Sequence, residues 1–323
     1  MFPTRPECKR IASAIDRSWL EILRADGRQI GRFFAERSDV SDATVSRRLS
    51  IMKESSLVDV RGYLSPFDAG VGAISMVRFK TATSPDQFAT ALAGLSCCYR
   101  VATIFGQSLV VALMAGECDL SLLANVDSIL GDHPSVSIEN ACPVLRIIPP
   151  REARQPANHR KTIELDRPTD RQRLIQARLI QAIQKDFRAT VASIATTVGV
   201  SAPSVAALIA RMTEQGEIRH IVDTDPRFLN RPLCAQLRIT VRKNIQTTAQ
   251  AIAEQLDPDW VFLCLGHEHI VAEIAVHDEA ELLRWQHNVE RMPDVQFVTP
   301  EPFAAVYKRS FDWFFDSQNS HQS

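Results

Sequence analysis

The chain has 323 residues, 45% hydrophobic and 23% charged, which is typical of a globular protein with two or more domains. No apolar run reaches membrane-spanning length and the first residues lack the apolar core of a signal peptide, so we expect a cytoplasmic protein without a membrane partner. Seven scattered cysteines, an odd number without a Cys-x-x-Cys pair, argue against a disulfide framework and against a zinc site. The sequence predicts no metal and no cofactor.

Charge is distributed unevenly along the chain, although the net charge is only −1. Residues 1–61 and 151–222 carry net charges of +3 and +5, whereas residues 62–150 and 223–323 carry −3 and −6. This alternation indicates a chain that meets phosphate groups through only part of its surface.

Three helical patterns open the chain, at residues 15–23, 29–36 and 41–54. A short turn at residues 37–40 separates the last two, which is helix-turn-helix spacing. Together the three patterns predict a compact helical unit, followed by a wing or linker rich in proline and glycine at residues 63–72.

The third of these patterns combines an apolar stripe with a polar face. Ser41 is a favourable N-cap because its hydroxyl accepts a hydrogen bond from a free amide of the first turn. Val45, Leu49 and Met52 recur at helical spacing and predict the buried side. The opposite side carries small polar residues and arginine, which suit the DNA major groove, although an ordinary helix with a solvated face has the same pattern.

The following segment has the order β-α-β-β-α-β, which predicts a ferredoxin-like antiparallel sheet with both helices on one face. The predicted elements are strand 73–81, helix 84–95, strands 99–105 and 109–115, helix 120–130 and strand 135–148. The whole pattern then returns after a shift of 160 residues, which aligns Asp26 with Asp186, Ser41 with Ser201 and Gly106 with Gly266 without a gap. The chain is therefore a tandem duplication.

The predicted fold class is α+β, with two copies of a three-helix winged helix-turn-helix domain followed by a ferredoxin-like βαββαβ domain. Each sheet has one bare face, so we expect the two sheets to pack face to face as a pseudo-dimer, from which homodimers or larger assemblies are built. The predicted segments are helix-turn-helix domain 1 at 10–62, ferredoxin-like domain 1 at 70–148, a linker at 149–168, helix-turn-helix domain 2 at 169–224, ferredoxin-like domain 2 at 230–309 and a tail at 310–323.

This organisation resembles the Lrp/AsnC family of bacterial and archaeal transcription regulators, whose βαββαβ unit is called RAM. The first copy matches the family pattern at Asp26-Gly27-Arg28, Phe34-Ala35, Val40-Ser41, Thr44-Val45-Ser46-Arg47-Arg48 and Met52-Lys53-Glu54, and departs from it at Ser56. The second matches at Asp186-Phe187-Arg188, Ile194-Ala195, Val200-Ser201, Ser204-Val205, Met212-Thr213-Glu214, Gly216 and Ile218, and departs from it at Leu208, where the family has arginine. The two matches in one register cover nearly the whole chain.

The resemblance implies a sequence-specific DNA-binding regulator that is associated with the nucleoid, with double-stranded DNA and a second copy of itself as partners. The candidate DNA-binding residues of the first copy are Ser41, Asp42, Thr44, Ser46, Arg47, Arg48, Ser50 and Lys53. Those of the second copy are Ser201, Ser204, Arg211, Arg171 and Arg173. We expect the first copy to read bases, because Arg47 can pair with guanine, and the second to contact phosphates, because its matching face offers mainly alanines. Arg48 lies nearer the core edge and is expected to brace the domain or touch phosphate.

The resemblance also implies a small-molecule effector near the turn after the second strand, where the family commonly has Gly-x-x-Asp. Here the turns read Gly106-Gln107-Ser108-Leu109 and Gly266-His267-Glu268-His269, so the aspartate is missing from both. The candidate effector-binding residues are Gly106, Gln107, Gly266, His267 and His269, while tight hairpin geometry alone also explains the glycines. We expect little response to common amino acids, because their amino group would need the carboxylate of the missing aspartate as a partner.

Two other functions share the same scaffold. Siroheme decarboxylases resemble these regulators and also pair two such units. Their signature is a basic run, rich in histidine and tyrosine, around the second strand of the RAM unit. Here those strands, residues 99–105 and 260–265, are largely apolar, and no nucleophile or phosphate-loop motif supports another enzyme. A ligand-binding or assembly module with decayed DNA readers is the third possibility. The sequence thus predicts a regulator and not an enzyme.

Overall fold

The computed structural model describes residues 11–29, 31–67, 71–154, 170–215 and 218–310. Most of the predicted linker, 149–168, and nearly all of the predicted tail, 310–323, lie outside these ranges. The mixed α+β class is confirmed.

The two halves of the chain have the same order of elements. The first half contains α1 (Ala14–Ala25), α2 (Gly31–Ser38), α3 (Asp42–Glu54), β1 (Val58–Tyr63), β2 (Ala73–Thr81), α4 (Pro85–Gly94), β3 (Cys98–Ile104), β4 (Leu109–Gly116), α5 (Asp119–Asp132) and β5 (Val136–Ile148). The second contains α6 (Asp170–Lys185), α7 (Val191–Val198), α8 (Ala202–Glu214), β6 (Arg219–Thr224), β7 (Leu233–Val241), α9 (Ile245–Leu256), β8 (Trp260–Cys264), β9 (Ile270–Val276), α10 (Glu279–Glu290) and β10 (Val295–Arg309). No single helix in the described ranges is long and apolar enough to cross a membrane, and α7 and α8, which together have that length and composition, are bent by 102° at their junction.

Tertiary contacts divide the chain into two compact units, each built from both halves. The helical unit comprises Arg5–Leu64 and Glu152–Leu229 and therefore contains α1–α3, α6–α8, β1 and β6. Its two three-helix groups share one apolar core, and β1 pairs antiparallel with β6 from Val58↔Thr224 to Tyr63↔Arg219. Each group alone is small for an independent core, so sharing one increases the apolar area that is buried.

Helix α3 forms where the sequence predicted it and for the predicted reason. The Ser41 hydroxyl accepts a hydrogen bond from the Thr44 amide at 3.2 Å, and Ser201 caps α8 through Ser204 in the same way at 3.3 Å. Val45 and Met52 are buried in the core with relative exposures of 0% and 2%. Local capping and apolar spacing therefore determine this helix.

The second unit contains Ser65–Arg151 and the chain from Asn230 onward, and its eight strands form a closed barrel. The strand order is β10-β3-β4-β2-β5-β8-β9-β7, with β7 hydrogen-bonded back to β10. The expectation of two separate sheets packed face to face is therefore corrected, since the sheets are joined at both edges. The long strands β5 and β10 make the joints: each pairs first within its own half and then continues onto β8 or β3 of the other half. Closure leaves no exposed sheet edge.

The two faces of the barrel wall differ in character. Outward residues such as Val77 and Leu237 pack with the helices in two apolar clusters, one for each half. Arg78 on β2 pairs with Glu301 on β10, although two other strands separate β2 from β10 around the wall. Such a contact spans the interior, so polar side chains of both halves meet inside the barrel.

Candidate functional site

One group of charged side chains inside the barrel is centred on Glu301, and we call it the Glu301 cluster. Arg78 Nη1 and Nη2 donate to Glu301 at 2.7 and 3.0 Å, and Arg78 Nε donates to Glu139 at 2.8 Å. Arg238 Nη1 donates to Glu301 at 3.0 Å and Gln236 Nε2 at 2.6 Å. Every oxygen of the buried carboxylate therefore has a donor, which is the arrangement of a structural ion pair.

The turn after β8 extends this cluster. Glu268, only 4% exposed, points inward from the turn and forms an ion pair with Arg238. It also accepts hydrogen bonds from Asn140 Nδ2 at 3.0 Å and from the Cys142 thiol at 3.1 Å. Gly266 approaches the same thiol closely, because a Cβ at this position would lie 2.8 Å from Cys142 Sγ. Sequence reasoning considered the neighbours of Glu268 in this turn but missed Glu268 itself.

The predicted effector residues lie at the two turns that follow β3 and β8. Gly106 has a φ of +70°, as a tight hairpin requires, and Gln107 is exposed. His267 is exposed, whereas His269 Nδ1 accepts a hydrogen bond from the Val241 amide at 3.0 Å. Since that nitrogen is occupied by the backbone, the two histidines do not form a free pair of ligands.

A second interior group lines a cavity of about 30 Å³, room for about two water molecules or one carboxyl group. We call it the Arg100 cavity. Arg100, on β3, forms a buried ion pair with Glu273, on β9. Its guanidinium carbon lies 5.4 Å from the ring centre of Trp260 and 5.8 Å from that of Phe262, which is cation–π geometry. The remaining polar lining residues are Gln236, Asp259, Lys308 and Arg309, and the apolar walls include Met76, Leu113, Ile274 and Phe303.

The two interior carboxylates differ in their electrostatics. Burial raises the pKa of Glu273, and the nearby charges of Arg100 and Arg309 only partly offset that cost. Burial also disfavours the charged form of Glu301, but the hydrogen bonds and charges of Arg78, with Gln236 and Arg238, outweigh it and lower the pKa of Glu301. A carboxyl group with a raised pKa beside a cavity is a candidate proton donor, whereas Glu301, in its saturated network, holds the strands together.

The predicted DNA-reading face of α3 is exposed. Asp42, Thr44, Ser46, Arg47 and Ser50 lie on the solvent side of the helix. Two other predicted residues have structural partners instead. Arg48 Nε donates to the fully buried carboxylate of Asp16 at 2.7 Å and so braces the helical unit, and Lys53 pairs with Asp186 at 3.0 Å.

The second copy presents a less polar surface. Ser201 and Ser204 form the N-cap of α8, and Arg211 near its end is exposed. The exposed side chains between them are mainly alanines, Ala206, Ala207 and Ala210. Arg171 and Arg173 belong to helix α6, and their side chains lie outside the described part of the chain.

Sequence reasoning missed the interior charges because an isolated charged residue in a strand usually faces solvent. A signal was present: Arg78, Arg100 and Glu273 interrupt strands whose other residues are mostly apolar. A charged residue in a strand that is buried on both sides needs a buried counter-ion. The opposite charges of Arg100 in β3 and Glu273 in β9 therefore indicate a possible ion pair.

Comparison with known proteins shows what this fold is used for elsewhere. No family model and no curated protein matches the sequence. A crystal structure of the siroheme decarboxylase NirDL matches 90% of this chain and 91% of its own, with a TM-score of 0.59 and 10% identity. NirDL in co-complex with an iron-uroporphyrin III analogue matches 87% of each chain, with a TM-score of 0.56 and 10% identity. Over most of its length, the chain shares the fold of this decarboxylase.

This likeness overturns the prediction that the chain is not an enzyme, because the fold it shares at nearly full length with NirDL is that of an enzyme. The strands at 99–105 and 260–265 lack a basic run, but barrel closure brings together charges from strands that are distant in the sequence, such as Arg100 and Glu273. Regulators of the Lrp type match only part of the chain. A feast or famine regulatory protein from M. tuberculosis, complexed with L-methionine, covers 41% of this chain and 90% of its own, at 21% identity and a TM-score of 0.37.

Proposed function

We propose that the chain is an enzyme that removes a carboxyl group from a carboxylate-bearing tetrapyrrole. The observation that carries this proposal is the correspondence of the complete two-unit fold with NirDL, in which about nine tenths of both chains align. NirDL is a siroheme decarboxylase and has been crystallised with an iron-uroporphyrin III analogue. Siroheme and uroporphyrin are large, flat macrocycles with carboxylate side chains on their rim.

The Arg100 cavity has the chemistry to receive one of those side chains. Its cations are Arg100, inside, and Lys308 and Arg309, which are half-buried on β10. A guanidinium binds a carboxylate through two parallel hydrogen bonds, and such a pair is strengthened when water is excluded. A cavity of about 30 Å³ accepts a carboxyl group but not a macrocycle. We therefore place a single side chain inside and the ring system at the mouth, near Lys308 and Arg309.

The apolar walls assist the loss of carbon dioxide. A carboxylate among apolar side chains such as Met76, Leu113 and Phe303 is poorly hydrated, and its charge disperses as the carbon–carbon bond breaks. The loss of hydration therefore raises the free energy of the bound carboxylate more than that of the transition state, whose charge is dispersed. The carbon that loses the carboxyl group then needs a proton.

The test is incubation of the purified chain with siroheme, with products identified by mass spectrometry as the loss of carbon dioxide. We expect conversion by the natural chain and loss of most activity in Arg100→Met. Arg146→Met, which removes an exposed arginine from β5 of the same barrel, is the matched control and should retain activity. No conversion and no binding of siroheme or iron-uroporphyrin III by the natural chain would rule out the proposal.

The exposed face of α3 favours a second candidate function, a DNA-binding regulator of the Lrp/AsnC type that acts in the nucleoid and self-associates through its barrel unit. Asp42, Ser46, Arg47 and Ser50 form a solvent-facing strip of the side-chain types that read base edges. The test is capture of genomic fragments followed by footprinting at several salt concentrations. Discrete footprints that Arg47→Ala weakens, and that survive Arg24→Ala on α1, would support it. If the second copy contacts phosphates only, removal of Arg171 and Arg173 should flatten the salt dependence, and Ala206→Ser should change little.

A further inference from the structure

Arg100, the cation proposed above to receive a substrate carboxylate, is already paired with Glu273. Arg100 and Glu273 form an ion pair inside the barrel, with relative exposures of 8% and 9%. Arg100 and Glu273 both line the cavity. A carboxylate that enters the cavity therefore meets an arginine that already holds an internal carboxylate.

The charges around Glu273 determine what happens if it is displaced. The charges that act on Glu273 are those of Arg100 on β3, Arg309 on β10 and Asp259, which directly precedes β8. Lys308 and the neutral Gln236 also line the cavity, and the Lys308 ammonium donates to the Leu95 carbonyl at 2.7 Å. Burial raises the pKa of Glu273, Arg100 is the largest influence that lowers it, and Asp259 raises it further. If Arg100 turns to another carboxylate, Glu273 loses its main counter-charge while it remains buried. Its neutral form is then favoured, because an uncompensated buried carboxylate is costly.

We propose that Glu273 is the proton donor of the decarboxylation, loaded by the binding of the substrate itself. The inference rests on the proposed function and specifies the acid that it requires. The substrate carboxylate displaces Glu273 from Arg100, and Glu273 takes one proton from solvent.

The bond between the substrate carbon and its carboxyl group then breaks, carbon dioxide leaves, and the electron pair stays on that carbon. The Glu273 proton forms the new C–H bond, and the Glu273 carboxylate returns to Arg100. The net change is one carboxylate and one proton converted into a C–H bond and carbon dioxide, so no oxidant or reductant is needed. The product has lost the group that competed for Arg100, which favours its release.

Calorimetric titration with iron-uroporphyrin III tests the loading step without turnover as the readout. Titration near neutral pH in two buffers of different ionisation enthalpy gives the number of protons taken up on binding. We expect an uptake of about one proton per tetrapyrrole by the natural chain and by Glu290→Gln, an exposed control on α10. Glu273→Gln retains a side chain that can hydrogen-bond Arg100, and it should bind at least as tightly with no uptake.

Turnover provides a second readout. General acids contribute about 10²- to 10⁴-fold, so Glu273→Gln should lose that much of the rate while it keeps its affinity. Glu273→Asp retains the acid and should recover part of the rate with a shifted pH profile. Binding by the natural chain without proton uptake, or equal uptake by Glu273→Gln, would refute the role of Glu273 and leave the proposed function standing. Absence of tetrapyrrole binding by the natural chain would refute both.

Discussion

Arg78 and Glu301 are 223 residues apart in the chain and form a two-pronged ion pair inside the barrel, with contacts of 2.7 and 3.0 Å. Their side chains are only 5% and 4% exposed. One residue comes from each half of the chain, so the pair links the two halves across the barrel interior. Each partner has one further ion pair, Arg78 with Glu139 and Glu301 with Arg238, so removal of either residue leaves the other charge buried with part of its counter-charge lost.

We expect Glu301→Gln to lower the free energy of unfolding by about 3 kcal/mol, because it leaves the buried guanidinium of Arg78 with only the half-exposed Glu139 as a counter-charge, while Arg238 keeps Glu268. The measurement is urea denaturation followed by far-UV circular dichroism. Glu290→Gln, at an exposed position, should change the value by less than about 0.5 kcal/mol. Equal stability of the two variants would show that the pair contributes nothing.

The acid stability of the chain should depend on Glu301. Its pKa is lowered in the folded state from an ordinary value of 4.5, so the stabilisation it provides is fully present above that value. It is lost as the pH falls through the lowered pKa of the folded state, where the carboxylate takes up a proton. The difference in unfolding free energy between the natural chain and Glu301→Gln should therefore be largest near neutral pH and shrink on acidification below pH 4.5. A difference that does not vary with pH would contradict this.

Two neighbouring arginines of α3 should behave in opposite ways. Arg48→Ala removes the guanidinium that donates to the fully buried Asp16 at 2.7 Å and should destabilise the chain by about 1–3 kcal/mol. Arg47→Ala removes an exposed side chain and should change stability by less than about 0.5 kcal/mol. If the chain binds DNA, Arg47→Ala should also relax base preference by about 1–3 kcal/mol. Thermal unfolding and footprinting of both variants separate the two effects.

Leucine and asparagine should not stabilise the chain. Their amino group would require a carboxylate at the turns after β3 and β8, and the acidic side chain found there, Glu268, is already bound to Arg238 and Asn140. A thermal-shift titration should therefore show no saturable increase in melting temperature with either amino acid. Iron-uroporphyrin III, added to the same samples, should produce such an increase. A clear response to leucine alone would favour the regulator over the enzyme.

Local sequence by itself determined most elements and their order. The Ser41 cap and the apolar spacing of Val45 and Met52 predict α3 closely, because capping and burial of one helical face depend on residues within a few turns. The shift of 160 residues likewise predicts the second copy, since the same local pattern forms the same elements again.

Only the tertiary structure decided how the copies combine and where the charged residues meet. The sequence predicts β5 as one long strand, but whether its second half faces solvent or pairs with β8 depends on a partner more than a hundred residues away. The same holds for Arg100: in isolation its strand is mostly apolar and suggests no site. In the closed barrel the Arg100 side chain meets Glu273. The register of distant strands, and not the local pattern, determines which side chains share the interior.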